Sequence, residues 1–166
     1  MAFFDNLRLI LLSMWLGSAL FFSAVLAPSV FIVLRGFNLS NSSEIAGNIV
    51  SRSLSVVNLS GFFISLLLLL TAAVVKNRQH SIVFVVQLIS LSVVAATTAV
   101  GHWVIAARMH ALRVSMGLPI EMISPIDSRR LAFNSLHSYS VTALSVAMIA
   151  TITALIALGR RVRGLR

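Results

Sequence analysis

LILLSMWLGSALFFSAVLAPSVFIVL, residues 9–34, carries no charged side chain and is closed by Arg8 on one side and Arg35 on the other. A helix needs about 20 predominantly apolar residues to cross a hydrocarbon core of about 30 Å, and this stretch exceeds that. Three more of its kind follow: Ser53 to Val75, Gln79 to Ala107 and Leu131 to Gly159, each ending at lysine or arginine. The acidic residues, Asp5, Glu44, Glu121 and Asp127, all fall outside the four. The expected fold class is all-α: an integral membrane four-helix bundle of antiparallel up-down spans at about residues 7–34, 50–75, 81–107 and 130–158. The 166 residues are read as a single transmembrane domain.

Composition agrees. With 58% hydrophobic residues, 10% charged residues and a mean hydropathy of +1.00, a chain of this length cannot keep its apolar surface from water as a soluble domain. A formal charge of +9 would point to nucleic acid in a soluble protein. Here the cations stand at span ends, where they meet lipid phosphates and hold helix ends at the interface. The expected partner is therefore the lipid bilayer, not nucleic acid. No cysteine is present, which removes disulfides, thiolate nucleophiles and thiolate metal sites together. The first span is longer than the roughly 7–15 residues of a signal-peptide core, and its small-residue cleavage candidate, Val25-Leu26-Ala27, is followed by Pro28. It is read as retained.

Along the chain, Pro28 removes a backbone donor and is expected to kink the first helix. Ser13-Gly17 and Ala19-Ser23-Ala27 recur at four-residue spacing, a pattern that lets helix backbones approach in lipid. That face is assigned to a partner helix within the chain ahead of a homo-oligomer. Asn41, three residues before Glu44, is placed to open a second helix running from Ser42 to Val75, about 50 Å at 1.5 Å per residue. Lys76 to His80 reads as a tight polar turn. The third helix continues past Arg108 to about Ser115 and stops near Gly117 and Pro119, and Asp127 caps the fourth.

Four spans place both termini on one side. Seven cations lie there (Arg8, Lys76, Arg78, Arg160, Arg161, Arg163, Arg166), against six opposite (Arg35, Arg52, Arg108, Arg113, Arg129, Arg130). The four C-terminal arginines, each drawn to anionic lipid by about 1 kcal/mol, favour cytoplasmic termini in a bacterial inner (plasma) membrane.

Chemistry is sparsely written. Between the cations that bound them, the four stretches hold no Asp, Glu, Lys or Arg, which argues against a carboxylate-based proton pump. His102 and His137 remain, with Trp103 and Tyr139 beside them. His102 lies six residues before Arg108 and His137 seven after Arg130, so both sit roughly 9–10 Å inside the same interface. Two readings stay open: a haem or metal site between the third and fourth helices, or separate interhelical hydrogen bonds. Asn58, Gln87, Thr97, Thr98 and Asn134 are read as hydrogen-bonding glue, about 0.6 kcal/mol each. Met109 and His110, with Met116 and Met122, have donors suited to Cu(I), and equally the apolar character of an interfacial segment. Nothing has the pattern of a Ser-His-Asp triad, a phosphate-binding glycine loop or a zinc motif.

Trp15-Leu16-Gly17, followed by Phe21, Phe22, Pro28 and Phe31, resembles the opening of the transmembrane protein 205-like family. Asp127, Arg129, Arg130, Phe133, Leu136, His137 and Ser140 resemble that family's fourth-span stretch, and Ala46-Gly47 its small pair before the second span. The resemblance implies a four-helix membrane domain without an established activity. It also implies a distant likeness in layout to copper-resistance membrane domains and to haem-binding protoporphyrinogen-oxidase membrane proteins. Trp15, the Pro28 kink and the Arg130 to Ser140 stretch would lie toward the leaflet bearing the first and third connections. One shared pocket there would include Pro28, His137 and Ser140.

The leading functional reading is a non-enzymatic bundle acting in binding, assembly or tolerance to a small molecule or metal. The alternatives are a haem- or metal-binding redox protein using His102 and His137, and an oligomeric small transporter. Alkaline carbonate should leave the chain in the membrane pellet, and reporters fused to its two ends should report the same compartment; release into the wash, or opposite compartments, would defeat the four-span reading.

Overall fold

The computed structural model describes residues 2–37, 39, 41–74 and 82–164. The expected turn from Lys76 to His80 and the final residue Arg166 lie outside them, and the Arg161 and Arg163 side chains are not described. The chain runs as α1 (Ala2–Phe21), a five-residue π-turn (Phe22–Leu26), α2 (Ala27–Gly36), α3 (Ser42–Val74), α4 (Ile82–Ala99), a second π-turn (Val100–Ile105), α5 (Ala106–Met116), a 3-10 turn (Ile120–Met122) and α6 (Ser128–Gly164). Four helical spans are long and apolar enough to cross a membrane: Asn6–Gly36, Ser42–Ala72, Ile82–Met116 and Ser128–Arg160. The all-α, four-span expectation holds.

Direction is readable from one core layer, where Leu12 near the start of α1 packs with Leu68 near the end of α3, Leu91 of α4, and Ala154 and Leu158 near the end of α6. Beginnings of the first and third spans meet ends of the second and fourth. The bundle is therefore up-down, with the start of α1 and the end of α6 at the same end.

A main seam runs along each helix by one rule, with Ser90, Ala150 and Ala157 buried beside it. Buried positions advance by alternate steps of three and four: Arg8, Leu12, Trp15, Ala19 and Phe22 in α1 and the π-turn after it; Asn58, Gly61, Ser65, Leu68 and Ala72 in α3; Gln87, Leu91, Val94, Thr98, Gly101 and Ile105 in α4 and its π-turn; Ser140, Leu144, Ala147, Thr151, Ala154 and Leu158 in α6. A mean repeat of 3.5 residues keeps one face inward only if the helices supercoil left-handedly. In lipid the outer faces are as apolar as the inner ones, so burial is decided by close packing and not by hydrophobicity. Small and polar side chains accordingly share the seam with large apolar ones such as Leu12 and Leu91, while Ile32, Val56, Phe63 and Ile149 face outward.

Trp15 is the largest interior group. Its Nε1–H donates to the Val57 carbonyl at 2.9 Å, and its ring lies over Gly61, where a Cβ would stand 2.5 Å from Nε1. Gly61 is required by this approach. The four-spaced small residues behave otherwise than expected: Ala19 is fully buried, but Ser13, Gly17 and Ser23 are exposed, and no atom lies within 4 Å of where a Gly17 Cβ would be. Trp15 needs a partner glycine across the seam, so the inward face of α1 runs through Leu12, Trp15 and Ala19 instead.

The third connection is pinned at both ends. Gly117 terminates α5 with φ +63°, a left-handed conformation that favours glycine. At the start of α6 an Asp127 carboxylate oxygen accepts the Arg129 backbone N–H at 2.8 Å, as an N-cap does. The Arg129 guanidinium also bridges Asp127 at 2.9 Å and the Ser115 carbonyl at 3.0 Å. Arg130 donates to the Ile123 carbonyl, and Met116, Ile123 and Phe133 close a small apolar cluster beneath.

Gly61→Ala should destabilise the bundle by about 1–3 kcal/mol through overpacking, read as a lower unfolding temperature in detergent, and much less in a Trp15→Leu background; equal losses in both backgrounds would refute the contact. The hydrogen bond from the Arg129 side chain, then that from its backbone N–H, holds the Asp127 carboxyl at about 2, below the ordinary value of about 3.9. A depressed carboxylate contributes stability that is complete above the ordinary value and is lost as pH falls through about 2. The protection of the Arg129 amide, its exchange rate relative to an unstructured amide at the same pH, should hold at pH 5 and fall near pH 2; protection at pH 7 that survives Asp127→Ala would show that the cap is idle.

Candidate functional site: a cavity at the bend of the first span

Pro28 has no N–H to give the carbonyl four residues back, and its ring crowds that carbonyl. The preceding turn widens in response, with the Ala27 N–H reaching the Phe22 carbonyl. Wide turns of this kind bend helices and recur at functional sites. The bend has a clear result: α1 packs on both α3 and α6, whereas the main packing partner of α2 is α3. A cavity of about 810 Å³ occupies the space between α2 and α6, with α3 and α5 as its other walls.

The second wide turn shapes the α5 wall. Thr97 and Thr98 donate to the Val93 and Val94 carbonyls at 2.7 and 2.6 Å, a pattern that bends helices. Three residues later Gly101 passes Asn58, whose Nδ2 would lie 2.8 Å from a Cβ. Beyond the turn, Ala106, Met109, His110 and Arg113 present one face to the cavity, at the three- and four-residue spacing of a helix. The α3 wall has the same logic, with Asn48, Ser51, Arg52, Ser55 and Asn58 lining it.

The cavity is graded. Phe22, Ala27, Phe31, Leu54, Leu144 and Met148 form an apolar part. Arg52, Arg113, His110 and His137 supply its ionisable groups, and among the described residues no lining side chain is acidic. Arg113 is the most constrained of them. Its Nη1 donates to Asn48 Oδ1, its guanidinium carbon lies 5.5 Å from the centre of the Phe133 ring, and Gly47 clears its path, since a Cβ there would be 3.2 Å from Nη2. Its Nε is buried without a hydrogen-bond partner.

The sequence-predicted residues separate into groups. Pro28, His137 and Ser140 line the cavity together, as do Phe31, Met109 and His110. His102 turns to α3, its Nδ1 3.0 Å from the Ser55 hydroxyl oxygen, and its ring meets Trp103 edge-on at 4.9 Å; it is not a lining residue. Trp103 is half exposed and stacks edge-on with Phe62, while Tyr139 is exposed on the outside of α6. Trp15 braces the helices below the cavity, and Gly17 faces outward. Met116 belongs to the apolar cluster under the third connection, and Met122 is exposed. Among the described residues no three histidine, aspartate or glutamate side chains gather as a metal site.

The fourth-span stretch thus divides its labour: Arg130 and Phe133 anchor the connection, and His137 and Ser140 continue the same helix face into the cavity. Sequence reading missed Arg52, Arg113, Asn48 and Ser55. Their signal was a polar stripe at three- and four-residue spacing along the first half of α3, facing a cationic one on α5.

No curated protein and no solved structure matches the chain. The family model described as a domain of unknown function, DUF4149, matches residues 10–117, a stretch that holds Pro28, both wide turns and the α3 and α5 walls of the cavity, and the chain belongs to that family.

Proposed function

We propose that this protein is a non-enzymatic binding protein of the bacterial inner membrane that holds a small amphipathic molecule in the cavity between α2, α3, α5 and α6. The observation that carries the reading is the graded lining: an apolar wall beside a rim of Arg52, Arg113, His110 and His137 in one space of about 810 Å³. That volume lies within the roughly 300–1,000 Å³ of cavities that enclose small ligands, and a few placed polar groups on an apolar wall are their usual chemistry.

Within the domain family, Trp15, Gly17, Pro28 and Phe31 together with Arg130, Phe133, His137 and Ser140 support kinship with the transmembrane protein 205-like proteins. The termini are assigned to the cytoplasm, where Arg160, Arg161, Arg163 and Arg166 would meet anionic lipid. Assembly into a homo-oligomer is retained as the route by which so small a bundle would carry a molecule across the bilayer.

The test is the composition of the purified chain. Native mass spectrometry from a mild detergent should show one bound amphiphile per chain, absent from Ala27→Trp and Ser51→Trp, which fill the cavity from two different walls, α2 and α3. A haem absorption band or stoichiometric copper, lost in His102→Ala and His137→Ala, would replace this reading with the redox one.

A further inference from the structure

Resting on that reading, we propose that the guest is an acidic amphiphile, a carboxylate or phosphate on an apolar chain, with its headgroup on Arg113 and Arg52. Charge decides the headgroup. The cavity lining carries two guanidinium groups and two imidazoles and, among the described residues, no carboxylate. Glu44 acts electrostatically on Arg113 but is not part of the lining, so at least one fixed positive charge is left over. Arg113 is held in place by neutral groups: an amide oxygen of Asn48, the Phe133 ring face and the open backbone of Gly47. Its Nε–H has no acceptor. A guanidinium fixed in position with donors to spare is suited to the planar, two-point recognition that carboxylate and phosphate oxygens provide.

Height and opening decide the tail. Arg113 stands three residues before the end of α5, about 5 Å along the axis, and so at the level of lipid headgroups. Phe22, Leu54, Leu144 and Met148 continue the lining as its apolar part. Pro28 on α2 and Val141 on α6 are lining residues and both exposed, and α2 packs chiefly on α3, so a tail entering from the acyl chains would pass between α2 and α6. A free inorganic anion would use the rim and leave the apolar wall empty.

The experiment is a titration of the delipidated full chain in neutral detergent, followed by native mass spectrometry, with palmitate, dioleoyl-phosphatidylglycerol, dioleoyl-phosphatidylcholine and hexadecanol as separate probes. At least one acidic probe should give a single saturable adduct about tenfold or more tighter than both neutral ones. Saturation by palmitate alone identifies a free fatty acid, and by phosphatidylglycerol alone a lipid headgroup. Arg52→Gln, at an exposed position, and Arg113→Gln should each weaken acid binding about tenfold, the worth of one charge-assisted contact, while Arg113→Lys retains part of it. If phosphatidylcholine or hexadecanol binds as tightly and both glutamine variants bind acid normally, the acidic class is overturned while cavity binding stands. Adducts that persist unchanged in Ser51→Trp overturn the binding reading itself.

Discussion

One backbone donor, missing at Pro28, governs the upper half of this bundle. Without it the helix must widen its preceding turn, and the widened turn separates α2 from the line of α1. A straight first span would continue along α6 and fill the space that the cavity now occupies. The widened turn keeps a backbone hydrogen bond of its own, from the Ala27 N–H to the Phe22 carbonyl, and in lipid every such bond counts because no water replaces it.

Below the bend the structure is a tight supercoil, and above it a loose one. In the tight half Trp15, Gly61, Ala19 and Ala147 bring backbones together around a single indole. Its N–H is satisfied by the Val57 carbonyl, so the largest polar-tipped side chain in the interior carries no desolvation penalty. In the loose half the seam residues become Asn58, Gly101 and Ser140, and polar groups line open space. Rigidity beneath and room above are the arrangement a binding site needs: the walls are held apart by packing that the guest does not have to supply.

The basic residues divide in a similar way. Arg129 and Arg130 are consumed by structure, closing the third connection onto Asp127, Ser115 and Ile123. Arg52 and Arg113 line the cavity, where Arg113 donates to the neutral Asn48 amide oxygen and the acidic Glu44 that acts on it lies outside the lining. All four stand on the same side of the bundle, and charge counting along the chain treats them alike; partner geometry is what separates an anchor from a ligand group.

What the chain determines by itself is its solvent. Four uncharged stretches bounded by cations specify four helices in lipid, the stop at Gly117, the cap at Asp127 and a bend at Pro28, because each rests on local backbone chemistry or on transfer from water. The convergence of Pro28, His137 and Ser140 was also legible, since spacing from the interface puts residues at comparable depth. Orientation about each helix axis was not. In an all-apolar span hydrophobicity does not distinguish inside from outside, so the outward turn of Ser13 and Gly17, the engagement of His102 with Ser55 and the exposure of Tyr139 were decided by packing around Trp15 and Gly61. The meeting of Arg113 with Asn48 joins residues that are distant in sequence, and only the supercoil of four helices brings them to one wall.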